Sequence, residues 1–425
     1  MSNVPTFQSQ AGTNYYGNLW LSLATIAYYG QQKGGTAEQD ILDAFAAMNE
    51  SSDYQVPSPA PSGEPIAGYW QVDWGPVVAV ESSGSVANRN ANLMYVVSYR
   101  DNTTHEPIFV AVAIRGTDVH ELWTTPGLLC VQLAEDLDIS VLYDWNDIIS
   151  GAATITQYGS ASAGPSTNAA IAHGTWIGLT CLRGMTAPLN APLLPNLPAT
   201  PPAPPSPFPN PTASPPPWTV EQYIAAVAAA YPTAPIVVTG HSLGGCQTTA
   251  FGLILALENP AAFVVSHPFA PPSAGNTKWN AIYQRTFATT QGAPRGQVWW
   301  NNFDVAPAAF QTQLAQPHPV EPFEHSLMSN IPNMWTGVYG NGPTIGEFKT
   351  IWSKYNTLAA NAYTHLANSL PPWAVQGLQG QQVPAGSTDW LGELVNQHFP
   401  KMYFTLMSGL KPAIPAFAPP PAAQD

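Results

Sequence analysis

The tightest constraint on this chain is local. An apolar, β-branched run, Ile236-Val237-Val238-Thr239, breaks at Gly240-His241-Ser242-Leu243-Gly244 and resumes as a helix-like run from Cys246 to Leu257. A buried strand that turns sharply into a helix needs glycine at the turn, because side chains there collide with the neighbouring strand and with the returning helix. The serine at the centre of such a turn sits in a strained backbone conformation. The helix that follows aims its first N–H groups at any negative charge that forms nearby. At average glycine and serine usage a chain of 425 residues meets G-x-S-x-G by chance roughly one time in seven, so the pattern alone decides little. Its position between a buried-type strand and an Ala/Leu-rich helix makes Ser242 a candidate nucleophile.

The rest of the chain reads as alternating strands and helices. Asn14 to Gly30 and Glu38 to Met48 have helical periodicity. Strand-like runs follow at Val77–Val80, Leu93–Tyr99 and Ile108–Ile114, the last two forming a hairpin or adjacent strands. Ile171 to Leu182 is a further apolar segment, and Tyr223 to Ala230 is a helix that leads into the glycine-flanked strand. Ala262–Val265 and Val298–Trp300 open later strands. This alternation predicts an α/β fold with a mainly parallel sheet. Residues 186–217 are too rich in proline for sheet ladder or helix interior, so they are expected to run as a surface insertion of a single domain. Residues 413–425, proline-rich again, are expected to be a flexible tail.

Charge narrows the partners. There are 12 Lys+Arg against 26 Asp+Glu, a net charge of −14, and only 9% of residues are charged. Nucleic acid is disfavoured, because phosphate binding rests on clustered cations, and so is a polybasic membrane anchor. A weakly charged surface rich in Trp, Tyr and Pro suits neutral, apolar material better. Cys130, Cys181 and Cys246 lie far apart without metal spacing, and Cys246 reads as a small buried hydrophobe. Nothing calls for a metal or a cofactor. No segment has the 18 or more apolar residues of a transmembrane segment. Met1 to Leu19 lacks a basic start and an apolar run, which leaves a non-standard export route, a removed leader or a cytoplasmic site open.

A serine hydroxyl needs a neighbouring base, and the base needs an orienting carboxylate. On the fold that carries this kind of turn, the partners follow in the order Ser, Asp or Glu, His. The aspartates after Ser242 are Asp304, Asp389 and Asp425. Asp304 comes just past the Val298–Trp300 strand, on the same sheet edge as Ser242, whereas Asp389 reads as a helix N-cap. Of the five later histidines, His267 and His365 adjoin apolar stretches, and His318 and His325 fall in loop-like sequence. His398, after the helix-like run Trp390 to Gln397, stands where the base is needed, with His325 and His365 as the alternatives. An oxyanion site needs two N–H donors. Leu243 supplies one, and Thr117, at the break after Ile108–Ile114, is placed for the other.

Together these residues resemble the class 3 (fungal-type) lipase family. The likeness rests on Val112-Ala113-Ile114-Arg115-Gly116-Thr117, Val238 to Gly245, Pro268 to Asn276, Asn302-Phe303-Asp304-Val305-Ala306-Pro307, and His398 with Tyr403-Phe404; Ala172-His173-Gly174-Thr175 also fits. The resemblance implies an α/β-hydrolase fold, with Ser242 as nucleophile, Asp304 as acid, His398 as base, Thr117 and Leu243 as oxyanion donors, and residues 118–132 as a lid. The pattern departs at Ala270 and Ser273, where the family has glycine and arginine. The implied activity is hydrolysis of neutral lipid or other water-insoluble esters at the lipid–water interface where such substrates gather. A phospholipase, a feruloyl-type esterase or an exported lipase-like toxin are readings on the same fold. A catalytically inactive protein that holds a hydrophobic ligand is the reading from another class. Oligomeric state is open.

Overall fold

Strand sequences here place apolar side chains on both faces, as a sheet covered on both sides requires. The structure, a computed structural model, describes residues 15–28, 37–50, 55–56, 66–81, 89–116, 139–159, 168–198, 200–202, 217–287, 295–301, 304, 306–307, 363, 366, 375–378 and 397–407. The described elements begin with helices α1 (Tyr15–Ile26) and α2 (Ala37–Asn49) and strands β1 (Gly68–Glu81), β2 (Arg89–Asp101), β3 (Pro107–Ile114) and β4 (Val141–Asp144). Helix α3 (Trp145–Ser150), β5 (Gln157–Gly159), β6 (Ala170–Ala172), α4 (His173–Gly184), β7 (Thr186–Ala187) and β8 (Trp218–Thr219) come next. Then follow α5 (Val220–Ala230), β9 (Ile236–His241), α6 (Leu243–Glu258), β10 (Val264–Phe269) and α7 (Thr277–Phe287). The series ends with β11 (Val298–Asn301), β12 (Val375–Leu378) and α8 (Pro400–Leu406).

A seven-stranded sheet in the order β1-β2-β3-β9-β10-β11-β12 forms the centre. The strands from β3 to β12 pair in parallel, and β1 and β2 add antiparallel ladders at one edge. Alternation sorts their side chains into two cores. Val110, Val112, Ile114, Ile236 and Val238 join Leu179, Leu182, Ile224, Val227 and Phe251 of α4, α5 and α6 on one face. Phe109, Ala111, Ala113 and Val237 join Leu19 and Leu23 of α1, Ile41 and Phe45 of α2, and Tyr403 of α8 on the other. Each fully buried Val, Leu or Phe contributes about 1.5–3 kcal/mol. Helix α6 is buried along Leu243–Ala256, which explains why its sequence is apolar all round. Thr219 and Gln222 form a reciprocal capping box that starts α5.

The hairpin of β2 and β3 and the strand–helix alternation match the sequence reading. Other elements extend it. Val77–Val80 is only the end of β1, which starts at Gly68. Its earlier half was hidden because the ladder shifts register between Val72 and Trp74 and again before Val77, around Gly75 at φ 71°. The Ile171–Leu182 segment spans two elements, the end of β6 and most of α4. A second sheet, β5-β4-β6, had no counterpart in the sequence reading.

The proline-rich stretch leaves and re-enters through paired strands, with Ala187 opposite Trp218. Its first part is tied to the β1 edge, where Leu189 bridges Trp74 and Asn190 N–H donates to the Asp73 carbonyl at 2.8 Å. Arg100, buried with Asp73 at 2.5 Å, also donates to the Pro192 carbonyl at 3.0 Å. Among the described residues no helix is long and apolar enough to cross a membrane.

Candidate active site

Strand β9 runs straight into the turn, and Ser242 holds φ 61°, ψ −128°, a conformation that L side chains rarely adopt. Both glycines of the pentapeptide are required by space. A Cβ on Gly240 would come 2.6 Å from the Gly244 carbonyl carbon and from Thr248 Oγ1, so helix α6 could not fold back onto its strand. A Cβ on Gly244 would come 2.6 Å from the Arg115 carbonyl carbon and 2.7 Å from Gly116 N, where the chain leaves β3. The turn is pinned by Ser242 N–H donating to the Phe269 carbonyl at 3.0 Å. Leu243 is the first residue of α6, so its N–H has no acceptor within the helix and points out of its N-terminal end.

The structure brings Ser242, His398 and Asp304 together. His398 Nε2 is 2.7 Å from Ser242 Oγ, and Nδ1 is 2.8 and 2.9 Å from the two oxygens of Asp304. Because the carboxylate can only accept, Nδ1 carries the proton and Nε2 is free to accept from the serine. Asp304 has no side-chain exposure while His398 keeps 17%, so the imidazole is the member of this pair that meets solvent. Asp304 also accepts from the Tyr403 hydroxyl at 2.7 Å and from Ala306 N–H at 2.9 Å. Burial and the neighbouring Asp304 hold the Tyr403 phenol well above its ordinary range, so it stays a donor.

The backbone carrying the base is held from two sides. Asn301 Nδ2 donates to the Gln397 carbonyl at 3.0 Å and to its side-chain oxygen at 2.8 Å. His241 Nε2 lies 2.7 Å from the His398 carbonyl. Burial, and then the adjacent His398, push the His241 imidazole well below its usual range, so it is neutral. The Tyr28 hydroxyl, at the end of the α1 segment, accepts Gly116 N–H at 3.1 Å and donates to the His241 carbonyl at 3.2 Å. Among the described residues no group of three or more His, Cys, Asp and Glu side chains is arranged to hold a metal.

Residues 218–314 match the family model described as lipase (class 3). This stretch of the chain is similar to class 3 lipases. The match contains Ser242 and Asp304 and stops short of His398. It supports carboxylic ester hydrolysis as the chemistry. The crystal structure of M37 lipase is similar over 93% of this chain and 93% of that one, at 18% identity and TM-score 0.57, and the shared fold is the α/β-hydrolase fold. Lip2 lipase from Yarrowia lipolytica aligns over 69% of this chain and 73% of its own, at 14% identity and TM-score 0.35. Mono- and diacylglycerol lipase from Aspergillus oryzae aligns over 71% and 80%, at 13% identity and TM-score 0.31. No curated protein sequence matches the chain.

The remaining sequence expectations for the site divide in two. Thr117, the alternative bases His325 and His365, the lid segment 118–132 and the tail 413–425 lie outside the described residues. His267 is packed, stacked on Trp20 with centroids 5.9 Å apart, and burial pushes it down to about 3. Cys246 is buried beside Thr175 Oγ1, its thiol pushed up to about 12. Tyr28 and the side-chain role of His241 were missed. Their partners lie 213 and 157 residues away, and no local pattern announces such contacts.

Proposed function

We propose that this chain is a lipase acting on neutral lipid or other water-insoluble carboxylic esters through a Ser242–His398–Asp304 triad. The single observation behind this is the 2.7 Å approach of His398 Nε2 to Ser242 Oγ, with Nδ1 held by a buried carboxylate. Ser242 Oγ attacks the ester carbonyl as His398 Nε2 takes its proton. The negative oxygen of the tetrahedral intermediate forms at the start of α6, where Leu243 N–H donates. Thr117 N–H, next after the Gly116 that Tyr28 holds, is the proposed second donor. Asp304 stabilises the imidazolium that forms. His398 then protonates the departing alcohol, leaving the acyl group on Ser242, and afterwards activates the water that releases the acid.

The choice of a neutral ester rests on the charge pattern, 12 Lys+Arg in 425 residues, which offers little to an anionic headgroup. Residues 118–132, carrying Leu122, Trp123, Leu128 and Leu129, are proposed as a lid. An organophosphonate should add to Ser242 one to one, read by intact mass, and Ser242→Ala should abolish both labelling and turnover. Full turnover in that variant would overturn the mechanism. Comparing triglyceride with phospholipid vesicles, below and above the onset of an interface, tests the substrate and the lid together.

A further inference from the structure

His398 is not on a strand, so something must register its backbone against the two strands that carry its partners. The described contacts do so in a paired way. Asn301, three residues before Asp304, holds the Gln397 carbonyl from the acid's strand at 3.0 Å. His241, the residue before Ser242, holds the His398 carbonyl from the nucleophile's strand at 2.7 Å.

We propose that His241 is a positioning residue for the base: its Nε2–H fixes the His398 backbone to the nucleophile's own strand, so that the Ser242–His398 distance is set by adjacent residues. This rests on the triad reading above. The chemistry of the contact specifies the side chain. A carbonyl only accepts, so Nε2 must carry the proton, and a neutral ring then leaves Nδ1 bare. Tyr28 Oη lies 3.2 Å from the His241 carbonyl and 3.4 Å from that Nδ1, so its one hydrogen is shared between two acceptors of the same residue. The same hydroxyl accepts Gly116 N–H, so the contact reaches the segment that leads to Thr117.

Neutrality is part of the function. The His241 and His398 rings are 4.8 Å apart, and His398 gains a positive charge during each proton transfer. A charged His241 would oppose that step, whereas burial keeps it uncharged. The titratable groups facing the ring are Tyr28 from the α1 segment, His398, and Tyr403 of α8 edge-on at 5.7 Å. None of these brings a fixed positive charge to the ring.

The test compares amides that differ in reach. Gln places its N–H where His has Nε2, whereas Asn reaches only the Nδ1 position. His241→Asn should lower kcat on a soluble activated ester and slow phosphonate capture of Ser242, both by about 10- to 100-fold with KM little changed. His241→Gln should recover most of both rates. Equal rates in Asn and Gln variants, or wild-type rates in both, would overturn the assignment. Ser242→Ala run alongside separates the two claims. If it is inert while His241→Asn is fully active, the triad stands and the positioning role falls. If Ser242→Ala still turns over, the triad itself fails.

Discussion

Asp304 has a buried carboxylate that meets His398 Nδ1, the Tyr403 hydroxyl and Ala306 N–H, and no water-exposed side-chain surface. Removing one donor from such a group leaves it under-satisfied in a low-dielectric site, where hydrogen bonds to charged groups contribute about 1.5–3 kcal/mol. Tyr403 also accepts Asn301 N–H at 3.1 Å, so one hydroxyl serves two buried groups. Tyr403→Phe should therefore lower stability in urea by about 1.5–3 kcal/mol and reduce kcat more than it changes KM. Unchanged kcat with normal stability would show that Asp304 does not need this donor. At this scale legibility depends on distance along the chain. Ser242 could be read because its demands, Gly240, Gly244, a strand and a helix, are all local. Tyr403 sits 99 residues from Asp304 and Tyr28 sits 213 from His241, so those pairings exist only in the folded chain.

Helices α4, α5 and α6 meet at a charge cluster in which one cation serves two acids. Arg183 is 2.5 Å from Glu221 and 3.0 Å from Glu258. Burial and the nearby Glu221 raise the Glu258 carboxyl from 4.5 to about 7, with Arg183 pulling the other way. The folded chain thus holds a proton that the unfolded chain has already released above its ordinary value of 4.5. This contribution to stability is complete below the unfolded value and is lost as pH rises through about 7. Urea midpoints taken from pH 5 to 8 should fall with this group, and Glu258→Gln should flatten that slope. A slope unchanged by the substitution would remove Glu258 as its source. Element boundaries were legible where periodicity was clean, as in β3. They were lost in β1, where the ladder slips around Gly75, and in β4 to β6, which are short and find partners only through the fold.

Over the whole molecule, alternation of strand and helix was enough to predict a mainly parallel sheet, because each buried strand reads as continuous apolar sequence. It could not place the proline-rich stretch. Pro192 within that stretch contacts Arg100, but its paired roots meet β1 at Trp74, where Leu189 forms a bridge and the Trp218 carbonyl accepts from the indole at 2.7 Å. Trp74 is level with Val96, Val112 and Val238, so the roots stand three strand spacings from β9, on the order of 14 Å across the sheet. Replacing residues 203–216 with a short Gly/Ser linker should therefore leave the rate of phosphonate capture at Ser242 unchanged. A marked change in that rate would mean that the excised residues reach the site.

The pairing of Ala187 with Trp218 brings the two roots side by side across a ladder. Such a junction can be reopened as readily as it can be shortened. New chain ends placed between residues 203 and 216, with the old ones joined, would give a circular permutant whose free ends emerge from the β7–β8 ribbon. Tethered to a solid support through those ends, the enzyme would be held from the β1 side of its sheet, where Leu189 and Trp218 meet Trp74, three strands away from the one that carries Ser242.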